Sequence, residues 1–226
     1  LADDFLISGL YGEATHKYRV IAFDRPGFGY STRPRWRVWS AKAQAALLLK
    51  ALSQIGVNEA IVLGHSWGTH VALEMAIAAP GRVRALVLAG GYYFPTARLD
   101  GLLSSPPALP IIGDVLRYTV SALTSRLMLP ALIRRLFKPA AVPPRFRHMP
   151  TELMLRPSQL RASAAEGALM VPQAARLQKH YARLRMPVFL VAGADDRIAD
   201  TQTQTVRLFR TLERGEIRVL PNVGHM

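Results

Sequence analysis

Ala60-Ile-Val-Leu-Gly64-His65-Ser66-Trp67-Gly68-Thr69 decides how this chain is read. A short apolar run, Ala60–Gly64, leads directly to Ser66 between two glycines. Helix-forming sequence then runs from Thr69 to Ala79 and stops at Pro80. The G-x-S-x-G spacing lets the serine backbone take a strained turn that lifts its hydroxyl clear of a sheet, and Gly64 and Gly68 remove side chains that would collide there. A helix starting at that turn lends its positive end and its unpaired first amides, so an oxyanion formed at Ser66 would meet the backbone amide of Trp67. A pentapeptide arising by chance would lack these flanking elements.

Working outward, the same alternation repeats. Arg19–Asp24 reads as a buried strand running into the tight turn Arg25-Pro-Gly-Phe-Gly29. Ser40 to Ile55 carries Ala and Leu at helical spacing, with Gly56 as its stop, and Val83–Ala89 is a further strand. Apolar strands alternating with helices describe an α/β architecture, a mostly parallel sheet covered on both faces. The pattern breaks between Pro95 and Pro187, which hold 12 of the 16 prolines. Ile111 to Phe137 predicts two short helices parted by Pro130, and Pro172 to Leu184 another. The strand pattern returns at Pro187–Gly193, followed by a helix over Thr201–Leu212 and a last strand at Glu216–Leu220. The expected organisation is a core over 1–95 and 186–226 with an inserted helical, basic, Pro-rich lid over 96–185.

Composition narrows the class. Half of the 226 residues are hydrophobic, too many for a disordered chain, and no apolar run is long enough to span a membrane. There is no cysteine, which removes disulfides, thiolate metal sites and a cysteine nucleophile. The net charge is +14, and Arg98–Arg185 contains 14 Lys/Arg against 4 Asp/Glu. Those basic residues lie among Leu and Pro rather than aromatics, so a solvated basic face is the leading reading and a nucleic-acid partner is not expected. An anionic membrane surface is the secondary reading, placed on Ile111–Phe137 with Arg126, Arg134, Arg135 and Lys138. No metal or organic cofactor is implied, because the glycines of 24–29 lack dinucleotide spacing and no ligand cluster occurs.

A serine needs a base to become nucleophilic, and the base needs an orienting acid. His225 follows the last strand in the small-residue loop Pro221-Asn-Val-Gly-His225. His65 would point away from Ser66 and hydrogen-bond structurally, and His70, one helical turn on, would be buried. His16, His148 and His180 read as surface or lid residues. Asp195 and Asp196 both lie where the strand at 188–192 ends, the edge at which sites of open α/β sheets gather. Sequence spacing alone leaves the two open.

The chain resembles the α/β-hydrolase superfamily, in the branch of haloperoxidase-like esterases, carbon–carbon bond hydrolases, epoxide hydrolases and haloalkane dehalogenases. Four motifs carry the resemblance in order: Asp24-Arg-Pro-Gly-Phe-Gly-Tyr-Ser31, the elbow at Ser66, Gly193-Ala-Asp-Asp196, and Gly224-His225. The resemblance implies the α/β-hydrolase fold and selects Asp196, three residues after its glycine, as the acid. It also implies a second oxyanion donor in a turn that would stand upstream of Leu1. The chain is therefore expected to be a fragment, and the compartment stays open, with the cytoplasm as default. G-H-x-W-G looks like the dehalogenase elbow, but there the nucleophile is Asp. An alkyl ether on Ser66 could not be released by attack at a carbonyl, so serine disfavours halide displacement.

The expected function is hydrolysis of a small carboxylic ester or similar acyl compound by Ser66, His225 and Asp196. Carbon–carbon bond hydrolysis or cofactor-free perhydrolysis are alternatives with the same residues, and a non-catalytic binding protein is the alternative of another class. Leu127, Leu132 and Leu136 of the lid are expected to contact an apolar substrate group, or else to pack the lid on the core. Oligomeric state is not legible.

Overall fold

The computed structural model describes residues 2–96, 106–108 and 111–226. Residues 97–105, 109 and 110, where the inserted segment was expected to begin, lie outside the described residues. The chain forms two compact units. The first comprises residues 1–37, 99–133 and 141–168, and the second 38–98, 134–140 and 169–226.

The second unit is built on a four-stranded parallel sheet. Its strands are β1 (Ala60–His65), β2 (Val83–Ala89), β3 (Val188–Gly193) and β4 (Gly215–Leu220), in that spatial order. Ile61 to His65 pair with Ala85 to Ala89, Leu86 to Ala89 pair with Val188 to Val191, and β3 pairs residue for residue with β4. Helix α3 (Ala41–Gln54) starts at Ser40, whose hydroxyl accepts from the Ala43 amide at 3.2 Å. It ends at Gly56, whose φ of 72° turns the chain out of the helix.

Helix α4 (Trp67–Ala78) buries most of its residues, with Val71, Ala72, Leu73 and Met75 each nearly inaccessible. A helix apolar on all sides belongs inside, and α4 packs between α3 and strands β1 and β2. Leu86, Leu88 and Leu190 complete this core, each side chain contributing roughly 1.5–3 kcal/mol by leaving water. One charge lies within it. Glu74, on α4, pairs with Arg176 and accepts from the Gln173 side chain.

The first unit is helical. Helices α1 (Ala2–Ile7) and α2 (Leu10–Thr15) precede the turn at Asp24–Ser31. Asp24 organises that turn: its carboxylate accepts from the amides of Ala2 and Tyr30, and a side chain on Gly29 would collide with it. Helices α5 (Ile112–Tyr118), α6 (Val120–Phe137), α7 (Thr151–Met154) and α8 (Pro157–Leu177) follow, with the boundaries between the units falling inside α6 and α8. Among the described residues of 96–185 there is no strand.

Three expectations from sequence are corrected. Arg19–Asp24 forms no strand. A strand needs a partner edge, and among the described residues β1 pairs only with β2. The helices in 111–137 break at Thr119, whose φ and ψ are −125° and −102°, while Pro130 sits inside α6. Proline forfeits one helical hydrogen bond and bends a helix, but it does not end this one. The expected helix at 201–212 opens as a wide π-type turn over Gln202–Val206, followed by the short helix α9 (Arg207–Phe209).

Candidate active site

Ser66 stands between β1 and α4 with φ 52° and ψ −122°, a conformation a side chain rarely tolerates and worth about 1–3 kcal/mol of strain. The sheet holds it there, because the Ser66 amide donates to the Ala89 carbonyl of β2 at 3.0 Å. A methyl group on Gly64 would lie 2.5 Å from the Gly68 carbonyl oxygen, so strand and helix approach each other across the bare Cα of Gly64. Gly68 behaves differently from expectation: a methyl group there would meet nothing within 4 Å. The tight contact is one-sided, a glycine facing the next glycine's backbone.

Asp196 and His225 are brought together. His225 Nδ1 lies 2.7 Å from Asp196 Oδ2, with both side chains almost wholly buried. The other carboxylate oxygen accepts from the amides of Ile198 and Ala199 at 2.7 and 2.9 Å. A carboxylate can only accept, so neutral His225 carries its proton on Nδ1 and presents the lone pair of Nε2. Asp195, the rival acid, is exposed, and its amide donates to the Val223 carbonyl at 3.0 Å.

The His225 loop rests on main chain. A methyl group on Gly193 would lie 2.2 Å from the carbonyl oxygens of Val223 and Gly224, so the end of β3 must be glycine for the loop to pass over it. The amides of His225 and Met226 both donate to the Leu136 carbonyl, at 2.8 and 3.1 Å. Gly90, one residue past β2 with φ 51°, would place a methyl group 3.3 Å from His225 Nδ1. Ser66 and His225 thus meet the same short stretch, Ala89–Gly90, at one end of the sheet. Among the described residues the Ser66 hydroxyl makes no hydrogen bond of its own.

The remaining histidines separate cleanly. His65 hydrogen-bonds structurally, as expected: its Nε2 donates to the His225 carbonyl at 3.0 Å, with the rings 5.0 Å apart. His70 is fully buried with Nε2 against the Tyr92 carbonyl, and burial pushes its pKa down to about 4 against the opposing pull of that carbonyl. It is therefore a neutral core residue. His16 and His148 are exposed, and His180 is half-buried in the turn 178–183.

Of the candidate substrate contacts, Leu127 and Leu132 lie in the first unit and are 72% and 49% exposed. Leu136 lies in the second unit, half-buried, and its carbonyl receives the His225 loop. Sequence reasoning missed Gln204. This buried side chain accepts from the amides of Tyr93 and Phe94 at 2.7 and 2.8 Å and donates to the Phe94 carbonyl at 3.1 Å, shaping the loop that begins at Gly90. No motif flags a glutamine that acts on backbone 110 positions away.

Comparison with known proteins fits this architecture. Residues 6–226 match the profile of the alpha/beta hydrolase fold family. A 2-hydroxy-6-oxo-2,4-heptadienoate hydrolase of Pseudomonas putida is 28% identical over 216 residues, covering 94% of this chain and 74% of that protein. Haloalkane dehalogenase 2 of Mycobacterium bovis is 24% identical over 239 residues, covering 98% of this chain and 77% of its own. Among solved structures, a thermophilic esterase from Thermogutta terrifontis superposes with a TM-score of 0.69 at 21% identity, over 98% of this chain and 78% of that one. With the parallel sheet, the strained serine turn and a match spanning nearly its whole length, the chain belongs to the alpha/beta hydrolase fold family.

Proposed function

We propose that the chain is a serine hydrolase of carboxylic esters or similar acyl compounds, working through an acyl-enzyme intermediate. The observation that carries this is the strained Ser66 turn at the same sheet end as the buried Asp196–His225 pair. His225 Nε2 takes the proton of the Ser66 hydroxyl as its oxygen attacks the acyl carbon. The oxyanion is held by first-turn amides of α4, led by Trp67, and the proton passes from His225 to the leaving alcohol as the ester bond breaks. Water, deprotonated by the same imidazole, then releases the acid and restores Ser66. Asp196 fixes the tautomer of His225 and stabilises its charged form.

A phosphonylating probe and a short p-nitrophenyl ester test this directly. Mass-spectrometric mapping should find the label on Ser66, and Ser66→Ala should abolish both labelling and ester turnover. Turnover retained by Ser66→Ala sinks the assignment. A second reading, hydrolysis of a carbon–carbon bond, is favoured by the similarity to the Pseudomonas putida heptadienoate hydrolase. Turnover of a dienone ring-fission product exceeding that of simple esters, with the same dependence on Ser66, would select it. Halide release is not expected, because Ser66 stands where an alkyl group would be trapped as an ether.

A further inference from the structure

Helix α6 turns its apolar side to water. Val120, Leu123 and Leu127 recur at helical spacing on one stripe, all three are exposed, and Leu123 is 63% accessible. Met128 beside them is exposed as well. Ser121 and Ser125, off that stripe, are half-buried. A helix resting on a core in water shows the reverse, with its serines outside and its leucines inside. The same spacing carries the stripe on to Arg134, with Arg135 next to it. Both arginines are exposed and form no ion pair among the described residues. The sequence of α6 contains no Asp or Glu.

Two neighbouring segments of the first unit present the same chemistry. Ile111, just before α5, and Val115 and Tyr118 within it fall at one helical spacing, and all are exposed. Arg35 grips Asp114 of α5 through both nitrogens, at 2.9 and 2.8 Å, which fixes the adjoining Trp36 beside that helix. Trp36 stands between Arg35 and Arg37 and is 82% exposed, whereas Trp39 and Trp67 are buried. An exposed indole costs solvation that a membrane interface returns, since the ring settles at headgroup depth and flanking guanidinium groups meet lipid phosphates.

We propose that α5, α6 and Trp36 form a docking surface for an anionic lipid membrane. The apolar side chains enter the boundary of the acyl chains, and Arg134 and Arg135 lie among the headgroups. Among the described residues no helix is long and apolar enough to cross a membrane, so the contact runs along the surface. Charge selects this occupant over a second copy of the chain. The stripe on α6 holds arginines and no acid, so the same stripe of a partner copy offers them no counter-charge. An anionic lipid surface offers an apolar phase and negative charge together. This surface is independent of the hydrolytic assignment.

The complete chain is mixed with vesicles of phosphatidylcholine alone or of phosphatidylcholine with phosphatidylglycerol. Because Trp36 is the exposed tryptophan, its emission should shift to the blue with the anionic vesicles and be quenched by acyl-brominated lipid. In co-sedimentation, binding should weaken about tenfold or more in Leu123→Ser/Leu127→Ser. Arg134→Gln/Arg135→Gln should bind less tightly at low salt and respond less to added salt than wild type. The replaced side chains are exposed, so both variants should melt close to wild type, which separates lost binding from lost fold. Four results would overturn the proposal. They are absence of a blue shift and of sedimentation with anionic vesicles, binding that ignores both variants, a leucine variant melting well below wild type (a packed face), and a wild-type dimer that Leu123→Ser/Leu127→Ser dissolves (a second copy as occupant).

Discussion

Asp196 divides its two oxygens between different tasks: Oδ1 accepts two loop amides, and Oδ2 accepts the His225 ring. That division makes Asp196→Asn an informative change. An asparagine must turn its oxygen toward the amides of Ile198 and Ala199, which can only donate, so its NH₂ faces His225. The imidazole then accepts at Nδ1 and carries its proton on Nε2, the wrong tautomer for deprotonating Ser66. On the proposed mechanism kcat for an ester should fall by roughly 10³–10⁴, with the fold retained. Steady-state kinetics beside a thermal melt separates this outcome from simple unfolding. A loss below tenfold in a folded variant would remove Asp196 from its proposed role.

The loop after β2 shows how one buried side chain can govern an element. Gln204 satisfies two amides and a carbonyl at Tyr93 and Phe94, and these groups are out of reach of water. Gln204→Leu keeps the bulk but strands them, and should destabilise by about 2–5 kcal/mol in urea unfolding. Because the same loop starts at Gly90, against the His225 ring, activity should fall at denaturant concentrations where the variant is still folded. The four strands and the elbow were legible because each rests on local composition, an apolar run bounded by Gly, Pro or a turn. The run at 19–24 has the same composition and misled for that reason, since pairing depends on an edge supplied from elsewhere in the chain. Pro130 misled in the opposite sense, because a proline removes one hydrogen bond from a helix without having to end it. In the candidate site, the pairing of Asp196 with His225 and the need for glycine at position 64 agree with the sequence reading, whereas the expectation for Gly68 does not. What holds the His225 loop, namely His65, Gly90 and the Leu136 carbonyl, depends on contacts between distant residues that no motif encodes.

For the molecule as a whole, His70 sets a term in acid stability. Its pKa of about 4 in the folded state lies below the ordinary 6.5, so between these values the unfolded chain binds the extra proton. Stability therefore rises with pH through this window, and the contribution is lost as pH falls from about 6.5 to about 4. The shift corresponds to about 3 kcal/mol across the window. Urea midpoints should thus fall steeply between pH 6.5 and pH 4 in the wild type. They should fall less in His70→Phe, once each curve is referred to its own value at pH 7.5. Equal slopes would show that other groups carry the acid sensitivity. Connectivity matters at this scale too. The chain passes from one compact unit to the other five times, twice within a continuous helix. Neither unit corresponds to an unbroken stretch of coding sequence, so neither can be isolated by deleting one end of the gene. Any nonsense mutation upstream of His225 removes part of the second unit, and a modular exchange of the helical unit with another protein would require three separate grafts.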